Sequence, residues 1–358
     1  MMKNDIKYYH IEDDVKRYPD ATIYIVWSRR GVGKTYSALK YPYENNFKTV
    51  YMKRTNEDVK TICSYNSDSD FDPSPFSPIN RDLGVNIHPR LIQPGFGGFY
   101  QADDEGRLSG KTIAYICSLN AIKRIKGIDL SDAEWIIFDE FIPQPGEIVK
   151  RAEGEMLLSL FETVNRDRRK RGRNGLKLML FANAEEISTP ITNTLEVVDT
   201  MANMQACGID IYYDRNRGIL LHHVSNDDVP LLQSEMGDMY RVMNGTAWAE
   251  KSYGGFFSGN DFSNIQDINL KGYKCLLQLN YNRRCTAYIY VNQRGNYYMT
   301  DTKGKPVRIY NLDRENEQKR FYIDYGSRLR EACIEDRFKF KRYSYYDLII
   351  NYSKFYNI

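Results

Sequence analysis

Residues 23–37 read IYIVWSRRGVGKTYS, and few folds accommodate that order. Ile23, Tyr24, Ile25, Val26 and Trp27 form an apolar, β-branched and aromatic run suited to a buried strand. A turn with two glycines follows, then Lys34, Thr35 and a segment, residues 36–40, that can continue as helix. Strand, glycine turn, Lys-Thr and helix is the order of a phosphate-binding loop. Small residues let successive backbone N–H groups face inward as an anion nest, and the next helix adds the positive end of its dipole. Arg30, Gly31, Val32 and Gly33 would cradle the phosphates, Lys34 would reach the β- and γ-phosphates, and the Thr35 hydroxyl would sit on Mg²⁺. The strict pattern GxxxxGK[ST] asks for glycine where Ser28 stands, so only GVGKT survives. A plain glycine turn in another α/β protein is the alternative that the rest of the chain has to answer.

At 358 residues there is room for two domains. An apolar share of 42% supports a real core, and 27% charged is ordinary for a soluble protein. Net charge is only +3, which excludes a polycation, so any nucleic-acid contact has to come from local clusters. The 29 tyrosines and 16 phenylalanines suit strands and contact surfaces. Six cysteines are scattered without a CxxC, which reads as free thiols in a reducing cytosol. The first residues are polar and no segment approaches the length of a membrane span, so a soluble intracellular protein is expected.

Residues 133–143 are the second decisive stretch. Trp135, Ile136, Ile137 and Phe138 form a short apolar run that ends in Asp139 and Glu140. In an open parallel sheet such a strand delivers its last residues to the carboxyl edge, beside the phosphate loop. One acid there can hold Mg²⁺ and the next can orient or deprotonate a hydrolytic water. An acidic pair after an apolar run is common; downstream of GVGKT it argues for an additional-strand (ASCE), RecA-like P-loop NTPase domain.

Met156, Leu157, Leu160, Phe161 and Val164 have helical spacing and lead into a basic run from Arg166 to Arg173. Such a run is usually a solvated face; an arginine finger acting on a neighbouring subunit and a phosphate-contacting patch are the rival readings. Residues 176–181 read as another buried strand closing near Asn183, which suits either a γ-phosphate sensor or an Asx-type turn. Residues 47–53 read as a strand and 98–119 as a hairpin, while 1–20 are a polar lead-in and the Ser/Asp/Pro-rich 66–80 an exposed loop. Residues 209–224 form a further hairpin with His222 and His223 on opposite faces. The C-terminal part predicts strands at 273–279, 286–291, 297–300 and 320–323, a helix around Leu329 to Cys333, and an aromatic helix over 345–356. The expected domains are an ATPase motor domain over 1–224, a linker or small linker subdomain over 225–265, and a small α+β domain over 266–358.

With those residues placed, the chain resembles the genome-packaging ATPases of small tailed podophages of the Picovirinae type, distant relatives of terminase large subunits. The resemblance rests on the phosphate loop with arginines before it, the Lys53-Arg54 pair, residues 137–141 (IFDEF), the block 162–168 (ETVNRDR) and residues 181–184 (FANA). It implies that Lys34 and Thr35 bind phosphates and Mg²⁺, that Asp139 is the metal-side acid and Glu140 the catalytic base. It places Arg166 as a trans-acting arginine finger and Asn183 where hydrolysis couples to movement, with Arg29 and Arg30 close to the phosphates. It further implies ATP and Mg²⁺ as cofactors and a homomeric ring, usually pentameric, acting in the host cytoplasm. The ring would dock on the portal of a procapsid and be absent from the mature virion, with double-stranded DNA as cargo, in some members a structural packaging RNA, and no membrane.

The C-terminal strands look like the family's RNase H-like domain. An active nuclease of that kind needs several carboxylates converging on two metals. The strand at 274–280 has none, and Asp301 with Asp324 do not make such a site, so no cleavage is expected. Lys123, Arg124 and Lys126 are candidate contacts to DNA phosphates, with a plain surface loop as the alternative. Two other function classes fit the motifs: a helicase or conjugation-type motor, and a nucleic-acid or capsid-binding module whose nucleotide site is only structural.

Overall fold

Six parallel strands form the middle of the larger sheet, in the order β5-β2-β6-β7-β1-β9, with antiparallel strands on both flanks. In chain order the strands of this sheet, parallel and antiparallel, are β1 (Ile23–Ser28), β2 (Lys48–Lys53), β3 (Ile87–Gln93), β4 (Phe96–Ala102), β5 (Leu108–Ser118), β6 (Ala133–Asp139), β7 (Lys177–Asn183), β8 (Ile211–Asp214) and β9 (Ile219–Val224). β3 and β4 extend the sheet beyond β5, and β8 closes the other edge against β9. The computed structural model describes residues 8–65, 72–103, 107–125, 127–166, 168–231, 237–257 and 260–356.

The parallel strands β1, β6, β7 and β9 are buried along most of their length, as interior strands of a parallel sheet are. Ser28, at the end of β1, pairs with Asn183 at the end of β7, and Asp139, at the end of β6, pairs with Phe181 of β7. This register brings the last residues of three neighbouring strands to one edge. The helices that matter for that edge are α1 (Ile11–Arg17), α2 (Lys34–Glu44), α3 (Asn56–Ile62), α4 (Ser77–Leu83), α5 (Ile122–Ile125) and α6 (Glu153–Asn165). α3 starts on a capping box of Thr55 and Asp58, and α6 buries Leu157, Leu160 and Val164.

Two sequence expectations change here, at the lead-in over 1–20 and at the loop over 66–80. The polar lead-in contains α1, held by Ile11, which is fully buried and donates its N–H to Ser37 Oγ at 2.7 Å. β3 carries Pro89, which argues against an interior strand; it forms the edge of the sheet, where a missing N–H is tolerated. Within the stretch read as an exposed loop, Ser74, Phe76 and Ile79 are buried and α4 begins at Ser77, while residues 66–71 lie outside the described residues.

Contacts divide the chain into two units, Met1–Leu195 with Asn203–Gly259, and Glu196–Ala202 with Asn260–Ile358. Residues 225–257, read from the sequence as a linker, count with the first unit. The second unit is α+β, with β10 (Tyr273–Tyr281), β11 (Cys285–Asn292), β12 (Tyr297–Thr300), β13 (Arg308–Asn311) and β14 (Phe338–Phe340) in the order β13-β10-β11-β12-β14. β10, β11 and β12 are antiparallel; β13 and β14 run parallel to β10 and β12. Leu277, Leu279, Ile289 and Met299 form its core with Phe321, Leu329 and Leu348 from the helices. The segment 320–323, expected as a strand, is helical instead. Acidic residues open and basic residues close the helix Glu315–Phe321, matching its dipole, and a π-helical turn continues it. All six cysteines are free thiols, and among the described residues no helix is long and apolar enough to cross a membrane.

Candidate active site

Gly31 and Gly33 take φ of 77° and 91°, a left-handed backbone that lets the chain turn from β1 into α2. The turn places Lys34 at the first position of α2, buried, with its ammonium directed back into the loop. Lys34 Nζ donates to Ser28 Oγ at 2.5 Å, to the Arg29 carbonyl at 3.1 Å and to Asn183 Oδ1 at 3.4 Å. Ser28, the residue that breaks the strict glycine pattern, thus supplies an acceptor for the lysine. Burial pulls the Lys34 pKa down to about 8; Asp139 opposes that and Arg29 adds to it.

Thr35 Oγ1 donates to Asp139 Oδ1 at 3.1 Å, so a hydroxyl and a carboxylate, both oxygen ligands that a hard divalent cation takes, stand together. The other oxygen of Asp139 accepts from Tyr51 Oη at 2.9 Å and from Lys53 Nζ at 3.3 Å. Lys53 also donates to Glu140 Oε2 at 2.8 Å, and Gln144 Nε2 reaches Glu140 Oε1 at 3.3 Å. Burial works against the Lys53 charge, but Asp139 and Glu140 outweigh it and raise its pKa. Glu140 itself sits at φ 58°, an uncommon conformation for a residue with a side chain. Behind it, the buried Arg54 donates to the carbonyls of Glu140 and Phe141 at 3.3 and 2.7 Å and pairs with Glu153 at the start of α6. That network fixes the backbone after β6.

Arg30, Gly31, Val32, Gly33, Lys34, Thr35, Asp139, Glu140 and Asn183 line one cavity of about 480 Å³, together with Ser74, Pro75 and Pro78. Sequence reasoning missed the last three, since Ser and Pro between charged residues signal a loop and nothing about where it packs. Arg29, expected near the phosphates, points elsewhere: its guanidinium donates to Asn226 Oδ1 at 3.2 Å and to the carbonyls of Val229 and Pro230 at 3.4 and 3.3 Å. Arg30 is exposed and donates to Gln144 Oε1 at 3.1 Å.

Arg166 is brought together with none of these residues. It is exposed and follows α6, whose last residue, Asn165, accepts through its side chain from Leu176 N just before β7. Its neighbour Arg168 is fully buried and donates to the carbonyls of Ser131 and Ala133, at the start of β6, and of Asn174, before β7. The basic run therefore lies at the amino edge of the sheet, roughly 20 Å of strand away from Asp139. Lys123 and Arg124 are exposed on α5, beyond the carboxyl end of β5; Lys126 lies outside the described residues.

No protein-family model and no curated protein matches the chain. Solved structures do. The bacteriophage Phi-29 viral genome packaging motor assembly aligns at TM-score 0.64 and 18% identity, over 97% of this chain and 99% of that one. The Phi-28 gp11 DNA packaging motor aligns at TM-score 0.60, also at 18% identity, over 97% and 96% of the two chains. The chain has a packaging-motor fold. The likeness spans both units of the chain, since almost the whole of each chain is covered. In this chain the glycine loop, the β6 acids and Asn183 occupy adjacent strand ends, at the carboxyl edge where α/β sheets hold their ligands.

Proposed function

We propose that the chain is an ATP-hydrolysing motor that drives double-stranded viral DNA through the portal into a procapsid, acting as a homomeric ring in the host cytoplasm. The observation that carries this reading is the convergence of Lys34, Thr35, Asp139, Glu140 and Asn183 on one cavity beside a glycine loop, within a fold shared with packaging motors.

In that site Lys34 and the loop amides hold the β- and γ-phosphates, and Thr35 and Asp139 hold the cation. Mg²⁺, when bound, would supply positive charge to neutralise the phosphates. Glu140 takes the proton of a water whose oxygen attacks the γ-phosphorus. The bond to the β–γ bridging oxygen breaks and ADP leaves with that electron pair. Asn183, within reach of Lys34, orients the γ-phosphate and relays its loss along β7. Arg166 is not among the residues that line its own cavity, and we assign it to the nucleotide of another copy, where such a finger contributes roughly 10³–10⁵ in turnover.

Lys123, Arg124 and Lys126 are our candidates for phosphate contacts to DNA, a sequence-independent grip weakened by salt. In the second unit Asp301 pairs with Lys341 and Arg342, and Asp324 with Arg308, so both carboxylates are engaged with cations. We assign this domain to nucleic-acid or capsid binding without cleavage. The ring size is taken as five by resemblance, and a packaging RNA as a further partner.

The test is turnover. Purified protein with Mg²⁺ should hydrolyse ATP, faster with double-stranded DNA, and Glu140→Gln should bind ATP but lose hydrolysis. Normal turnover in Glu140→Gln removes Glu140 as the base.

A further inference from the structure

Ser74, Pro75 and Pro78 face the same cavity as Lys34, Asp139 and Glu140, although they come from a segment with no place in the phosphate-loop motif. The segment is built in. Phe76 is 1% exposed, and its ring lies 4.8 Å from that of Phe99, centroid to centroid. Asn80 exchanges two hydrogen bonds with the Ile87 backbone, each 2.9 Å, which ties α4 to β3. Tyr36 Oη donates to Asp82 at 2.9 Å, which ties α4 to the first turn of α2. Phe99 also meets Tyr51 edge-on, at 6.4 Å, and Tyr51 Oη donates to Asp139. A continuous set of packed groups therefore joins residues 74–78 to the metal-side acid.

The chemistry of this segment suits exclusion better than binding. Proline has no N–H, so Pro75 and Pro78 offer no donor to compete with the loop amides for phosphate oxygens. The Ser74 hydroxyl is already engaged, accepting from Phe76 N at 3.2 Å, and Ser74 N donates to Asp72 at 2.9 Å. What faces the cavity from this side is two apolar rings beside the single hydroxyl of Ser74.

We propose that residues 74–78 form the outer wall of the phosphate site, with Pro75 and Pro78 as positioning residues that keep bulk water off the terminal phosphate. The inference rests on the ATP reading above. Excluding water strengthens each charge interaction within the cavity and fixes the terminal phosphate against Lys34.

The test compares Pro75→Ser/Pro78→Ser, which invites water, with Pro75→Val/Pro78→Val, which keeps apolar bulk, in the full chain. Steady-state ATP hydrolysis gives kcat and KM, and titration with a non-hydrolysable ATP analogue gives affinity. The serine pair should lose roughly ten- to hundredfold in kcat, the scale of a misplaced reacting group, with analogue affinity nearly unchanged. The valine pair should recover most of the native kcat. Native kcat in the serine pair overturns the proposal, and so does a loss of analogue affinity as large as the loss in kcat/KM, or a valine pair as impaired as the serine pair. If the serine pair does not fold, Tyr36→Phe loosens the same wall through Asp82 and should show the same split; unchanged kcat there overturns it. A native chain without ATP hydrolysis overturns the ATP reading itself, whereas native turnover indifferent to these variants overturns the wall alone.

Discussion

Lys53 Nζ lies 2.8 Å from a carboxylate oxygen of Glu140, on a residue whose own backbone is left-handed at φ 58°. The cation holds the carboxylate at the end of β2, and the Arg54 bonds to the carbonyls of Glu140 and Phe141 hold the backbone. A left-handed residue with a side chain costs about 1–2 kcal/mol, a strain kept at the position proposed for the base. Glu140→Gly should therefore be at least as stable as the native chain, since backbone relief offsets a half-exposed ion pair that stabilises by about 1 kcal/mol at most. It should show no hydrolysis. A drop of many degrees in Tm for Glu140→Gly, measured by calorimetry, contradicts this account of the strain.

Lys34 makes nucleotide binding sensitive to alkali. Its pKa is pulled down to about 8, so the free protein loses this charge as pH rises through 8, well below the ordinary lysine value of 10.5. Phosphate binding favours the charged form, so ATP binding at pH 8.5 should take up a proton, and binding at pH 6.5 should not involve Lys34. Calorimetry in buffers of different ionisation enthalpy reads this directly. Ser28→Ala removes an acceptor of the ammonium and should start the fall in affinity at lower pH. Equal affinity at pH 6.5 and 9.5 in the native chain argues against it.

A second titrating group governs stability and stands apart from the phosphate loop. His222 Nδ1 lies 2.7 Å from Asp14 Oδ2, which also accepts from Tyr9 Oη at 2.7 Å. Burial opposes the charge on His222, but the hydrogen bond to Asp14 and the Asp228 carboxylate 3.7 Å from Nε2 overcome it and raise its pKa from 6.5 to about 9. Because the folded value is the higher one, the stabilisation is fully present below 6.5 and is lost as pH rises through about 9. Relative to His222→Gln, the native chain should lose up to about 3 kcal/mol across that window. Parallel urea-unfolding curves for the two proteins at each pH, giving a constant difference, count against the pair.

Arg166 and Arg168 sit two residues apart and should behave oppositely. Arg168→Ala leaves the carbonyls of Ser131, Ala133 and Asn174 without their donor and should cost about 1–3 kcal/mol, lowering Tm. Arg166→Ala should leave Tm unchanged and remove hydrolysis. Mixing Arg166→Ala with Lys34→Ala subunits should restore part of the activity, because each kind supplies what the other lacks. Failure to complement in every ratio excludes a role in trans.

The parts of the site legible in the sequence were those at strand ends. The order of strand, glycine turn and Lys-Thr, and an apolar run ending in two acids, report backbone geometry directly, and Asn183 closes the strand between them. What stayed hidden depended on contacts made across the fold. The hydroxyl of Ser28 looked like a missing glycine until Lys34 was seen to donate to it. Arg168 looked like one of several solvated charges, although it is fully buried. Residues 74–78 carry loop composition, and Phe76 and Ile79, which anchor them, are too few to set a period. In the second unit, Phe321 suits a strand as well as a helix, and only packing against Tyr352 and Tyr310 decides between them.

The central claim is that ATP turnover at this site moves DNA. Procapsids carrying their portal, supplied with this protein, ATP, Mg²⁺ and linear double-stranded DNA, are treated with nuclease, and the protected DNA is measured. Protected DNA should depend on ATP and be absent with Glu140→Gln. DNA-stimulated hydrolysis with no protected DNA in procapsids that another packaging system can fill would contradict the claim.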